Sequence, residues 1–257
     1  MSASQASAAE LRRFALIALT GFAGAALVFA PASLAAWFLK RSSPLTAIAG
    51  SEGTIWKGRF SGVTHGGVLI GDVDYRLAAL PLLAGRVEIE ASSAGGALLG
   101  RGRVSLSPGG AEFRNVNAEF NLGAIRQYTF FGVRYQGHVR LKADRLKLSK
   151  KGCVAETATL STSAFEALTR RWSAEPFPLA GAIACEAGAL TATLDGASAD
   201  GKASIGLTVR PDFTYALRIA AEPRRPDVSE ALQVFGFENK GDRLSYEAAG
   251  ILKGLSS

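Results

Sequence analysis

Few residues in this chain of 257 could do chemistry. Asp72 and Asp74 are the best carboxylate pair. Spaced by one residue on an alternating strand, they share a face, as an acid–base pair would need. The same phase carries Ile70 and Arg76, so we read them as solvated charges on an outer face. His65 falls in a glycine-rich turn and His138 on the polar phase of a strand, far apart and without metal-ligand spacing. The only cysteines, Cys153 and Cys185, fit one disulfide or two buried thiols; a zinc site would need four ligands. Gly95-Gly96 and Gly100-x-Gly102 lie between strand patterns with no helix after them, and read as turn glycines rather than a phosphate cradle. There is no G-x-S-x-G, P-loop or H-E-x-x-H. The expectation is a protein without catalytic residues, metal or cofactor.

The formal net charge is +7, but the basic residues are scattered, form no run of five, and are not interleaved with aromatics. That describes a solvated basic surface rather than a nucleic-acid site.

Length suggests one N-terminal helix plus one domain. Residues 1–13 read as a cytoplasmic tail ending in Arg12 and Arg13. Phe14 to Leu39 carries no charge over about 26 residues, where a bilayer core needs about 20 and a signal peptide has about 7–15. We therefore expect a transmembrane helix over 14–39, although Pro31 and the small residues around it resemble a cleavage region. Arg12 and Arg13 are balanced by Lys40 and Arg41, so the positive-inside rule does not orient it. Residues 40–52, with Pro44 and Gly50, read as a linker, and 53–257 as a β domain.

Gly53 to Leu77 reads as two strands around a glycine-rich turn, with Trp56 as a core or interface aromatic in the first. Leu69, Gly71, Val73, Tyr75 and Leu77 alternate with Ile70, Asp72, Asp74 and Arg76. Period-two alternation recurs to Leu244, Tyr246 and Ala248, about a dozen strands in all. Short helices are expected at Leu122–Tyr128, Ser163–Trp172 and Asp227–Phe235. The predicted fold is mainly β: a curved, meandering antiparallel sheet, open, taco-like or partly closed, with two or three short helices. These helices are too few to cover the apolar face, so the sheet must curl, pair or hold a guest. Parity places Leu69, Val73, Tyr75, Val139, Leu141, Leu207, Leu217 and Leu244 on one apolar, groove-forming face.

An apolar N-terminal helix, then Gly53-Thr54-x-Trp56-x-Gly58, a strand ending Tyr75-x-Leu77 and Leu80-Pro81-Leu82-Leu83-x-Gly85, resembles the type II secretion system protein N family. Pro178-Leu179-x-Gly181-x-x-x-Cys185-x-x-Gly188-x-Leu190 resembles the second half of that family. The resemblance implies a non-enzymatic component of the type II secretion machinery, single-pass in the inner membrane with its domain in the periplasm. It also favours a Cys153–Cys185 disulfide, which suits an oxidising compartment. Its partners would be other inner-membrane subunits or the secretin, with sheet edges offering unpaired backbone for docking. The family is similar in turn to AsmA-like proteins. That suggests the alternative of a lipid-binding or lipid-transfer module, with acyl chains in the apolar groove.

Overall fold

The computed structural model describes residues 8–125, 129–130, 133–134, 136–149, 151–164, 178–212, 214–234 and 236–251. Helix α1 (Ala8–Val28) is followed after a short break by α2 (Ala32–Ser42). Pro31 causes the break, because it has no N–H to donate and its ring clashes with the preceding turn. The expected single helix over 14–39 is thus corrected to two. Because Arg12 and Arg13 sit near the start of α1, its uncharged part runs only from Phe14 to Val28, about 22 Å against the roughly 30 Å of a bilayer core. Among the described residues no helix is long and apolar enough to cross a membrane.

The strands begin with β1 (Thr46–Ala47), β2 (Gly50–Gly53), β3 (Lys57–His65) and β4 (Val68–Leu77). After α3 (Ala79–Leu83) come β5 (Val87–Ala94), β6 (Leu98–Ser107) and β7 (Gly110–Asn121). Two short strands, β8 (Thr129–Phe130) and β9 (Val133–Arg134), pair only with each other. Then follow β10 (His138–Ser149), β11 (Gly152–Glu156), β12 (Ala158–Thr162) and β13 (Leu179–Glu186). The chain continues through β14 (Ala189–Ser198), β15 (Gly201–Val209), β16 (Thr214–Pro223), α4 (Pro226–Val234), β17 (Glu238–Lys240) and β18 (Arg243–Ile251).

Among the described residues sixteen strands form one open antiparallel sheet, ordered β1-β3-β4-β5-β6-β7-β10-β12-β13-β14-β15-β16-β18-β17, with β2 also on β3 and β11 also on β10. Part of the expected linker is sheet: β1 and β2 pair with β3, and Ile48 between them is buried. The Leu80–Leu83 turn is a short helix, and the helix expected at Leu122–Tyr128 is a 3-10 turn over Leu122–Ala124, with 126–128 outside the described residues. Residues 165–172 of the expected Ser163–Trp172 helix also lie outside them. The last helix starts one residue early, at Pro226, and Phe235 lies outside the described residues.

Cross-strand partners point to the same face, so the register traces each face directly. One row runs Phe60–Val73–Ser93–Gly100–Ala118–Leu141–Leu160–Gly181–Leu194–Ile205–Ile219–Tyr246. It crosses twelve strands, about 50 Å at the usual strand spacing, without a charge. The row behind it, on the other face, includes Arg59, Asp74, Arg101, Lys142, Arg218 and Glu247. Helix α2 packs Ala32 and Ala36 on Ile48, Phe60 and Tyr75 at one end of the apolar face. At the other end Leu232 and Phe237 pack on Leu244. Between them lie clusters around Leu146 and around Leu179 and Leu194.

Candidate functional site

The first motif sits where the helices meet the sheet. Gly53 ends β2 with φ +92, and a Cβ there would stand 2.5 Å from the Lys57 carbonyl oxygen, so the position requires glycine. This left-handed residue starts a tight loop, Thr54–Trp56, between β2 and β3. Trp56 is therefore in a loop, not in the strand expected from its neighbours' propensities. Within the loop the Thr54 hydroxyl accepts from the backbone N–H of Trp56 and of Lys57, both at 3.3 Å. Thr54 also forms an isolated bridge with Pro31, and the Ile55 N–H donates to the Ala30 carbonyl at 2.9 Å. The Trp56 indole Nε1 donates to the Leu27 carbonyl at 2.9 Å. Leu27 lies in the last turn of α1, where carbonyls have no partner within the helix. The motif thus supplies donors to the end of α1 and to the break after it.

Tyr75 fixes the loop from the sheet side. Its hydroxyl donates to the Thr54 carbonyl at 2.7 Å, and its ring stacks on Phe60 with centroids 4.5 Å apart. Burial pushes the Tyr75 phenol pKa up. Gly58 faces Tyr75; a Cβ there would meet the Glu52 carbonyl and, at 2.9 Å, the Tyr75 hydroxyl. The Leu77 N–H closes the loop by donating to the Trp56 carbonyl at 2.7 Å.

The second motif is a packing site. Leu179 is fully buried, Pro178 is exposed, and Gly181 has the Thr193 backbone where a Cβ would lie. Cys153 and Cys185 are joined, with Cα atoms 5.8 Å apart. Their bridge links β11 to β13 beyond the end of the β12–β13 ladder, whose last pair is Ala158–Ile183.

Of the eight apolar positions expected on one face, Val73 and Leu141 lie in the twelve-strand row. Leu207 and Leu217 pair with each other two positions along from Ile205 and Ile219 and so on the same face, Tyr75 and Val139 likewise sit two positions along their strands from row members, and Leu244 pairs with Ala221. Tyr75 and Leu244 are buried, and Val73, Val139, Leu141, Leu207 and Leu217 are half-buried. Leu69 lies past the irregular pairing around Val63 and is 49% exposed.

The other face is laced with ion pairs. Arg59 approaches Asp74 at 3.4 Å and Asp72 at 3.9 Å. Asp72 also accepts from the Gly62 N–H at 2.9 Å, so it stabilises a strand irregularity and is not a plain surface charge. Arg114 and Arg145 both contact Glu112 at 2.7 Å. Burial pushes the Glu112 pKa up, but the hydrogen bonds and charges of both arginines outweigh it and hold the carboxyl below its ordinary value. The Arg140 hydrogen bond, with its charge, likewise lowers Glu119. These groups pair with one another, and an open hollow of about 730 Å³ lies over Arg59, Asp74, Arg76, Glu90 and Arg101. Among the described residues no group of three or more His, Cys, Asp and Glu side chains could hold a metal ion.

The family model described as type II secretion system (T2SS), protein N, matches residues 44–246. No curated protein and no solved structure matches the chain.

Proposed function

The chain belongs to the type II secretion system protein N family, and from that premise we propose that it is a non-enzymatic part of the secretion machinery, held at the inner membrane by residues 14–39 with its sheet in the periplasm. The family match over 44–246 carries the reading. Two features support the placement. Phe14, Ile17, Phe22 and Phe29 are 67–76% exposed, an apolar surface that water does not favour. The Cys153–Cys185 bridge suits an oxidising compartment. The partners are other inner-membrane subunits or the secretin. A sheet edge offers them a surface: β17 covers β18 only from Arg243 to Ser245.

In vivo crosslinking of the full chain in a secreting cell, read by mass spectrometry, tests the reading. Crosslinks to secretion-system subunits are expected. A crosslink map containing none of them, from protein shown to be in the membrane fraction, overturns it.

The twelve-strand apolar row favours a second reading, in which acyl chains lie along the sheet. Phospholipid retained by the purified chain after detergent exchange, and lost in Leu141→Asp, is its expected signature.

A further inference from the structure

Helix α2 is built the wrong way round for a helix in water. Its inward positions are small: Ala32 and Ala36 are buried against Ile48, Phe60 and Tyr75, with Ala35 beside them. Its large apolar residues point away from the protein, with Leu34 55%, Trp37 60% and Phe38 65% exposed. Leu34, Trp37 and Arg41 recur at spacings of three and four, so they share one face, and Phe38 flanks it. A surface helix of a soluble domain shows the opposite distribution. Eleven residues span about 16 Å, too short to cross a bilayer.

The polar groups of α2 identify what covers this face. Lys40 and Arg41 occupy the last turn, and α2 contains no acidic residue. The Arg41 guanidinium lies 5.7 Å from the centre of the Trp37 ring, so the basic and aromatic groups form one patch. Tryptophan beside basic side chains, above aliphatic residues, is the composition of a helix at a bilayer interface. The orientation of α2 is set by the sheet. The Pro31–Thr54 bridge and the Ile55 to Ala30 hydrogen bond hold its start, and the alanines hold its inner side.

We infer that α2 is an interfacial foot: its Leu34–Trp37–Phe38 face lies in the headgroup region of an anionic phospholipid bilayer, with Lys40 and Arg41 on lipid phosphates, and so holds the sheet at a fixed attitude to the membrane. This rests on the membrane attachment by residues 14–39 proposed above and deepens it, because it assigns the α2 part of that segment to the bilayer interface rather than to the hydrocarbon.

The test uses the full chain in vesicles of phosphatidylethanolamine and phosphatidylglycerol brominated either near the headgroup or deep in the acyl chain. The Trp37 signal is the difference between the wild-type chain and Trp37→Phe. The expected result is stronger quenching by shallow than by deep bromine, falling about two-fold in Lys40→Gln/Arg41→Gln or when phosphatidylglycerol is omitted. Trp37 unquenched in a chain that has entered the vesicles overturns the foot and leaves the attachment standing. Stronger quenching by deep bromine also overturns it, because α2 would then lie in the hydrocarbon. A chain that does not enter vesicles removes both proposals.

Discussion

At the scale of single residues, the first motif is a joint whose parts are backbone acceptors and side-chain donors. The indole N–H of Trp56 can only donate, and the Leu27 carbonyl at the end of α1 otherwise accepts only a long bond, 3.5 Å, from the Ala30 N–H. Trp56→Phe keeps the ring and deletes the donor. It should cost about 0.5–1.5 kcal/mol in a denaturant titration of the detergent-solubilised chain, the usual net value of one hydrogen bond. A Trp56→Phe chain as stable as the wild type would show that water replaces the bond. The glycine-flanked setting of Trp56 was visible in the sequence, but its place in the fold was not. Strand propensity carried it into β3, whereas the left-handed Gly53 turns the chain one step earlier. Asp72 shows the same limit. Alternation placed it on the outer face, yet its hydrogen bond to the Gly62 N–H depends on an irregularity that no period-two pattern displays.

At the scale of elements, the alternating pattern shifts phase in three successive strands. The apolar face of β7 takes Ala111 and Phe113, then Val116 and Ala118; that of β10 takes Ala143, then Leu146; the β11–β12 segment takes Ala155, then Ala158. Each step is three residues where two is the rule. Asn115 and Thr157, inside two of these steps, have φ of +49 and +43. Such a residue rotates the strand so that apolar side chains stay on their face, as a bulge does. The spacing was visible in the sequence, but one strand's slip has no meaning until its neighbours show the same slip in register. The bridge between β11 and β13 lies just beyond this shifted row. Its cysteines are 32 residues apart, so the double variant Cys153→Ser/Cys185→Ser should lower stability by about 2–4 kcal/mol. The urea midpoint of oxidised wild type against the double variant measures it. Equal midpoints would mean the ladder alone sets the pairing.

At the scale of the whole molecule, the sheet separates an apolar face from an ion-paired one. Leu141 and Lys142 are neighbours in sequence and opposed in space: Leu141 packs with Ala143, Leu146 and Ala158, while Lys142 is exposed. Leu141→Ala should cost about 1–3 kcal/mol, less than a fully buried leucine because the site is half-open, and Lys142→Ala no more than about 0.5 kcal/mol. Paired chemical denaturation of the two variants checks the assignment, and equal losses would contradict it. Parity made the two faces legible. Whether the sheet closes was not legible, because an open and a closed sheet alternate identically along each strand. The open order has a consequence for how the chain acquires its shape. From β3 to β7, and again from β12 to β16, each strand pairs with the one made immediately before it. Contacts of that kind close short loops and form fast, whereas joining the first strand to the last would wait for the whole chain. A polypeptide delivered N-terminus first can therefore zip up in the order in which it emerges, each hairpin offering the next its edge, with folding keeping pace with delivery.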